Sequence, residues 1–382
     1  MDQFTFIGKI SAIKETENFK PIDRKTFDSS GWQMTNVKFN CISGTNRIMC
    51  AVQGGKFKDD SKNVIKTVGQ PPSGGGKRPM IDIAWDKRND PDEIAKVAGF
   101  RHYVVDLDDG KMRYKLRDLI KAFKEDDDTD DLVAETGCET LEQATEALEK
   151  SEKRRHVFLS PWDFSEYMAK VVVSEKIKDK MFRISGNREI QYSKGKFYSN
   201  YMVTRVELIN DVEPSATMNI DFYFAEDCVD ENEDSGIGYI NGWGTYYDNQ
   251  LKKNGFYPIC IVSRGGEKEI RGLRRKLSVG DSEISTVGLN VNVIDGAEIV
   301  PITYDDLSDE DKADIDDGFI TLEEIIKASN GGKIGDRITE LRYAGVNPRK
   351  RNVEETDFSV ENMVPATMET ENVESDDEDE DL

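Results

Sequence analysis

Three strand-like runs crowd the first sixty residues: "FTFIGKISAI" (4–13), "GWQMTNVKFNCISG" (31–44) and "RIMCAVQGG" (47–55), with Gly, Asn and Ser turns between them. Nothing else in the chain restricts the fold as strongly. A long first strand carrying Gly8, a long second and a shorter third make a meander. Its coiling suits the opening of an OB-type barrel, in which a glycine permits the sharp bend.

Beyond it, "KTVGQPPSGGGKRPM" (66–80) is too rich in Gly and Pro for ordered core and reads as an exposed loop. "MIDIAW" and "RHYVVDL" read as strands flanking a short helix at 90–99, and "YKLRDLIKAFKEDDDTDD" as the charged end of a first module. Thr140 and Gln143 are spaced as a capping box. Ser160, Pro161 and Asp163 mark a better-signalled helix start, with Trp162, Tyr167, Met168, Val171, Val172 and Ile177 available for its buried face.

Strands then resume. In "KFYSNYMVTRVELI" (196–209) strict alternation puts Met202, Val206 and Leu208 on one face and Phe197, Tyr201 and Arg205 on the other. "ATMNIDFYFA" alternates through Met218, Ile220, Phe222 and Phe224, residues 238–265 read as strand, polar loop and strand, and 287–293 as one more. Thr321 and Glu324 box the start of a last helix ending at Gly331. The expected architecture is mostly β with helical insertions (α+β). Residues 1–131 form a first OB-like module, 132–180 a helical linker and 181–304 a second OB-like module; 305–351 hold an acidic turn and a C-terminal helix, and 352–382 a disordered acidic tail.

Charge is distributed unevenly. The net charge is -23, but no basic residue follows Arg351 and 13 acids lie in 352–382, so the preceding 351 residues carry only -10. Further acid is bunched at 125–131, 226–234 and 305–317, with net charges of -6, -6 and -7. What remains is basic, by about +9, and its Lys and Arg lie among aromatic-rich strand segments.

Several chemistries fail on spacing. "PPSGGGKRP" has Pro71 and Arg78 where a phosphate-binding P-loop needs Gly and Ser or Thr. Gly318 and Glu324 fall at EF-hand positions, but Ala313 and Ile315 replace two calcium ligands. Five scattered cysteines without a C-x-x-C pair fit reduced thiols, and His102 and His156 complete no zinc set. No apolar stretch approaches the roughly 18 residues of a membrane span, and the N-terminus lacks a signal-peptide pattern, so a cytoplasmic address is expected. No cofactor, metal or catalytic residue is expected.

The positive signal is cations interleaved with aromatics. Residues 180–205 carry six Lys or Arg against one Glu, among five aromatic rings. Single-stranded DNA calls for such a pairing: cations track phosphates while flat rings stack on unpaired bases, each stack worth roughly 1–3 kcal/mol. Candidate contacts are Arg183, Arg188, Tyr192, Lys194, Lys196, Phe197, Tyr198, Tyr201 and Arg205 here. The first module offers Lys20, Arg24, Lys25, Phe27, Trp32 and Lys38. Trp243, Tyr246 and the basic run with Arg271, Arg274 and Arg275 follow in the second. The terminal Asp376, Asp377, Glu378, Asp379, Glu380, Asp381 and Leu382 would compete with DNA for such a surface as a tethered polyanion and offer a handle to partner proteins.

Residues 4–55, "LEKSEKRRHVFLSPWDFSEYM" and "YSKGKFYSNYMVTRVELI" together resemble the single-stranded DNA-binding proteins encoded by tailed phages of Gram-positive bacteria, from Met1 to about Leu208. The resemblance implies an OB-fold protein that coats exposed strands during phage replication or recombination in the host cytoplasm. It also implies a tail that recruits replication or recombination proteins, although the chain ends in Leu382 where such tails usually end in Phe. A phage structural or scaffolding protein with an acidic partner-binding tail is the alternative, and a metal-dependent nuclease a third.

Overall fold

A computed structural model describes residues 2–232, 235–248, 251–280, 284–300, 302–328, 333–347 and 363. In chain order the strands are β1 (Gln3–Ala12), β2 (Ile22–Phe27), β3 (Trp32–Ser43), β4 (Asn46–Phe57), β5 (Val64–Val68), β6 (Met80–Ala84), β7 (Tyr103–Asp106), β8 (Arg155–Phe158), β9 (Met181–Ser193), β10 (Lys196–Leu208), β11 (Ser215–Phe224), β12 (Val229–Asn232), β13 (Ile237–Asp248), β14 (Lys253–Ser263), β15 (Ser285–Val300) and β16 (Lys333–Val346). The helices are α1 (Pro91–Lys96), α2 (Gly110–Glu125), α3 (Asp130–Thr136), α4 (Leu141–Glu152), α5 (Pro161–Val172), α6 (Gly266–Lys276), α7 (Asp309–Asp316) and α8 (Leu322–Ala328). All strands but the β5–β6 ribbon join one large mixed sheet.

That sheet closes on itself twice. β1 pairs antiparallel with β3, β3 with β4, β4 parallel with β10 at Cys50–Tyr201, β10 antiparallel with β9, and β9 with β1. Numbered within the ring, the strand order is 1-2-3-5-4-1. A parallel third and fifth strand require a long crossover. Residues 58–180 supply it, and within them α5 is capped by Ser160, whose hydroxyl accepts from the amides of Trp162 and Asp163. Phe164, Met168 and Val172 of that helix enter the barrel core beside Phe6, Phe39 and Ile184. Gly8 sits where one edge of β1 changes partner from β11, paired as far as Ile7, to β3, paired from Lys9. A Cβ there would lie 2.4 Å from the Ile42 carbonyl oxygen, so only glycine admits the crossing.

The same order recurs in the second half. β11 pairs with β13, β13 with β14, β14 parallel with β16, β16 with β15, and β15 with β11. Here α6 occupies the crossover and buries Ile270 and Leu273. The first strands of the two rings bind each other antiparallel, Gln3–Ile7 against Ser215–Asn219, which fuses the barrels into one sheet. Between β4 and α5, helices α2–α4 form a satellite with its own small core of Leu116, Leu119, Cys138 and Ala144.

Three expectations change. Residues 181–208, assigned to the second module, are β9 and β10 and close the first barrel, because their partners β1 and β4 lie far back in the chain. Part of 305–351, read as turn and helix, is β16, the strand that closes the second barrel. And alternation in β10 is broken by a bulge between Val203 and Arg205: Tyr201 and Val203 face inward before it, Val206 after it, so Tyr201 belongs to the core face and Met202 to the outside. The caps at Thr140, Ser160 and Thr321 form as expected. Gly331 lies outside the described residues.

Candidate nucleic-acid interface

Directly paired residues of antiparallel strands share a face, so the register of β2, β3 and β4 defines the outer surface of the first barrel. Phe27 pairs with Trp32 and Trp32 with Phe57; Lys25 pairs with Met34 and Met34 with Gly55. Continuing along β3, Asn36 pairs with Gln53, Lys38 with Ala51 and Asn40 with Met49. Next to Ala51 lies Met202, which extends the face onto Asn200 and Tyr198 of β10. Aromatic rings, cations, amides and thioethers thus alternate along one surface. Phe27 is 45% exposed and Tyr198 50%. The Lys38 ammonium stands 5.4 Å from the Phe19 ring, and Trp32 meets Phe57 edge-on at 4.9 Å.

This face runs into a cleft of about 880 Å³ between the β9–β10 hairpin and the second barrel. Gln53 and Asn200 line it from the first barrel. Thr245, Tyr247 and Asn254 line it from the outer face of β13 and β14. The outer surfaces of the two barrels therefore meet there. The hairpin that walls the cleft is anchored by Tyr192 on Phe197 and by Phe197 against Tyr246 and Tyr257. Its tip carries exposed Lys194 and Lys196, and the turn places Lys194 and Gly195 at positive φ, 51° and 74°.

The predicted contacts divide between this surface and the interior. Lys20, Lys25, Phe27, Lys194, Lys196 and Tyr198 are exposed, with Lys25 bonded to Asp23 at 2.9 Å. Trp32 and Lys38 lie half-buried on the face, and Phe197 and Tyr192 under the hairpin. Arg24 does not share the face of its neighbours: it makes a two-pronged bond to Glu166 of α5 at 3.0 Å each, and this guanidinium holds the Glu166 carboxyl below its usual range. Arg183 and Arg205 both turn to Glu207.

Arg188, Tyr201 and Tyr246 are placed inward, and of these Arg188 and Tyr246 also border the cleft. Tyr201 packs edge-on against Phe4 and Phe6 at 5.3 and 5.0 Å, and burial pushes its hydroxyl up to about 12. Tyr246 is buried within the core. Arg188 is also buried and donates to the Tyr257 hydroxyl and to Asp2, 3.0 Å away. The Tyr257 hydroxyl donates to Asp2 at 3.0 Å, completing a triad across the two barrels.

In the second barrel Trp243 is half-buried and packs with Tyr223 against Phe256, Ile284 and Met363. On α6, Arg271 bonds Glu267 and Arg274 bonds Glu231 at 3.1 Å, while Arg275 is exposed. Asp376, Asp377, Glu378, Asp379, Glu380, Asp381 and Leu382 lie outside the described residues. Sequence reading missed Asn36, Met49, Gln53 and Phe57; the parity of "WQMTNVKFN" around buried Val37 and Phe39 would have found the first, while Asn40, of the same parity, is buried.

Among the described residues, no group of three or more His, Cys, Asp or Glu side chains gathers as a metal site. No helix there is long and apolar enough to cross a membrane. Cys41 and Cys50 are buried free thiols, the former pushed up to about 12 by desolvation.

No protein-family model matches the chain, and no curated protein does. Four solved chains match. One is a deletion mutant of the single-stranded DNA binding protein from Thermus aquaticus, with a TM-score of 0.31 and 6% identity over 94% of this chain and 98% of that one.

Proposed function

We propose that this chain is a non-catalytic, sequence-independent single-stranded DNA-binding protein built on two OB-type barrels. The strand order 1-2-3-5-4-1, with a helix in the crossover before the fourth strand of each ring, supports the OB reading. OB barrels bind oligonucleotides on the face of strands two and three and the loops beside them. In the first barrel that face is β3 and β4, and its composition carries the proposal. Phe27, Trp32, Phe57 and Tyr198 offer flat surfaces to bases, Lys25 and Lys38 neutralise phosphates, and Asn36, Gln53 and Asn200 suit mixed base edges. A role in phage DNA replication or recombination, with the acidic terminus as competitor and partner handle, follows from the resemblance of residues 1–208.

Fluorescence titration of oligothymidylate at low and moderate salt tests the reading. Binding should be strong in dilute buffer and fade with salt, with a log–log slope of about -0.7 per phosphate engaged. No binding even in dilute buffer would leave the scaffolding alternative. Loss of the probe on adding magnesium would instead indicate a nuclease.

A further inference from the structure

At the end of the β3–β4 face, where Trp32 pairs with Phe57, the surface deepens into a pocket of about 360 Å³. Trp32, Gly55 and Phe57 come from the barrel; Trp85, Tyr103 and Arg101 come from the 58–160 insertion. Two features distinguish it from the rest of the face. The first is its aromatic wall. Gly55 leaves the Trp32 indole room that a side chain would take, since a Cβ there would lie 2.2 Å from Trp32 Cζ2. Trp85 is fixed from behind by Arg88, whose guanidinium lies 4.1 Å from its ring and bonds Asp163 at 2.6 Å.

The second is an unmatched donor. Trp85 is 8% exposed, and its buried Nε1–H has no hydrogen-bond partner. Burying such a donor unpaired costs stability, so packing alone holds the Trp85 indole in this wall. Exposed Lys62, Lys66 and Arg101 make the rim cationic. The volume is near the lower end of the ~300–1,000 Å³ typical of small-molecule pockets, which suits one nucleoside and excludes a stacked run.

We infer that this pocket takes a single unstacked nucleobase from the bound strand, held between the Trp32 and Trp85 side and Phe57. The inference rests on the proposed single-strand binding and adds a fixed base site to it. Such a site pins the strand at one end of the groove while the remainder of the face stays tolerant of sequence.

The test compares oligothymidylate with an abasic oligomer of equal length. The variants are Trp85→Phe, which shrinks the aromatic wall, and Gly55→Ala, which displaces the Trp32 indole without touching Trp85. Each should weaken oligothymidylate binding on the order of 10-fold, the scale of removing one stacked base, and leave abasic binding unchanged. Thermal melting reads out folding: Trp85→Phe should melt somewhat lower than the parent, since it thins a buried ring, but both variants should stay folded at the temperature of the titration. Equal weakening on both oligomers, or no weakening of oligothymidylate binding by Trp85→Phe, would overturn the base pocket while the barrel face kept its assignment; a loss through Gly55→Ala alone reports only Trp32 on that face. A parent protein that binds neither oligomer would sink both.

Discussion

Arg188 shows how one side chain can carry the appearance of a DNA contact and do something else. It lies in the most basic strand segment, yet it is buried against Asp2 of the first barrel and Tyr257 of the second. Arg188→Met should leave the Asp2 carboxylate buried without its cation, a loss of about 3–5 kcal/mol for a buried pair broken on one side. Urea denaturation measures it, and a loss below about 1 kcal/mol would mean water already reaches Asp2. The signal for this burial was present: Phe182, Ile184 and Arg188 share one parity on β9. What sequence could not supply was the partner, since Asp2 and Tyr257 are distant in the chain and either could equally have faced solvent. Arg24 is similar, its parity setting it opposite Lys25 and toward Glu166.

At the scale of elements, local chemistry was legible and long-range pairing was not. Caps at Thr140, Ser160 and Thr321 depend on neighbours a few residues away, and each was readable, whereas the need for Gly8 comes from Ile42 on another strand. The closure of the first barrel by β9 and β10 depends on pairing across the 58–180 crossover, which no local pattern encodes. The bulge after Val203 then reversed the faces assigned along β10, because one extra residue shifts every later side chain to the other side. The hairpin these strands form makes its own prediction. Lys194 and Lys196 at its tip stand beside the cleft wall rather than in the core, so Lys194→Glu with Lys196→Glu should leave folding intact. The variant should weaken oligothymidylate binding and make its log–log salt slope shallower by about 0.7 for each phosphate it no longer neutralises. An unchanged slope would place the tip off the path of the strand.

For the whole molecule, the two barrels repeat one topology but differ in access and charge. The face of β3 and β4 is open, whereas the corresponding face of β13 and β14 holds Trp243 and Phe256 beneath Met363, a residue of the segment that leads to the acid-rich terminus. Thirteen acids and no bases follow Arg351, so the same stretch that contributes Met363 also carries the polyanion. The Met363 contact tethers that stretch to the molecule, and a tethered polyanion is held at high local concentration near any groove that attracts phosphate. Truncation after Arg351 removes both the apolar plug and the charge, and should tighten oligothymidylate binding several-fold at low salt. The gain should shrink toward zero near 1 M salt, where the screening length falls to about 3 Å. Met363→Ala in the full chain separates the two contributions. It uncovers Trp243 and Phe256 while keeping every acid, so affinity should rise by less than on truncation and the remaining difference should vanish with salt. Equal or weaker binding by the truncated chain would show that the terminus does not compete for the groove, and the second barrel would then be closed for a reason unrelated to DNA.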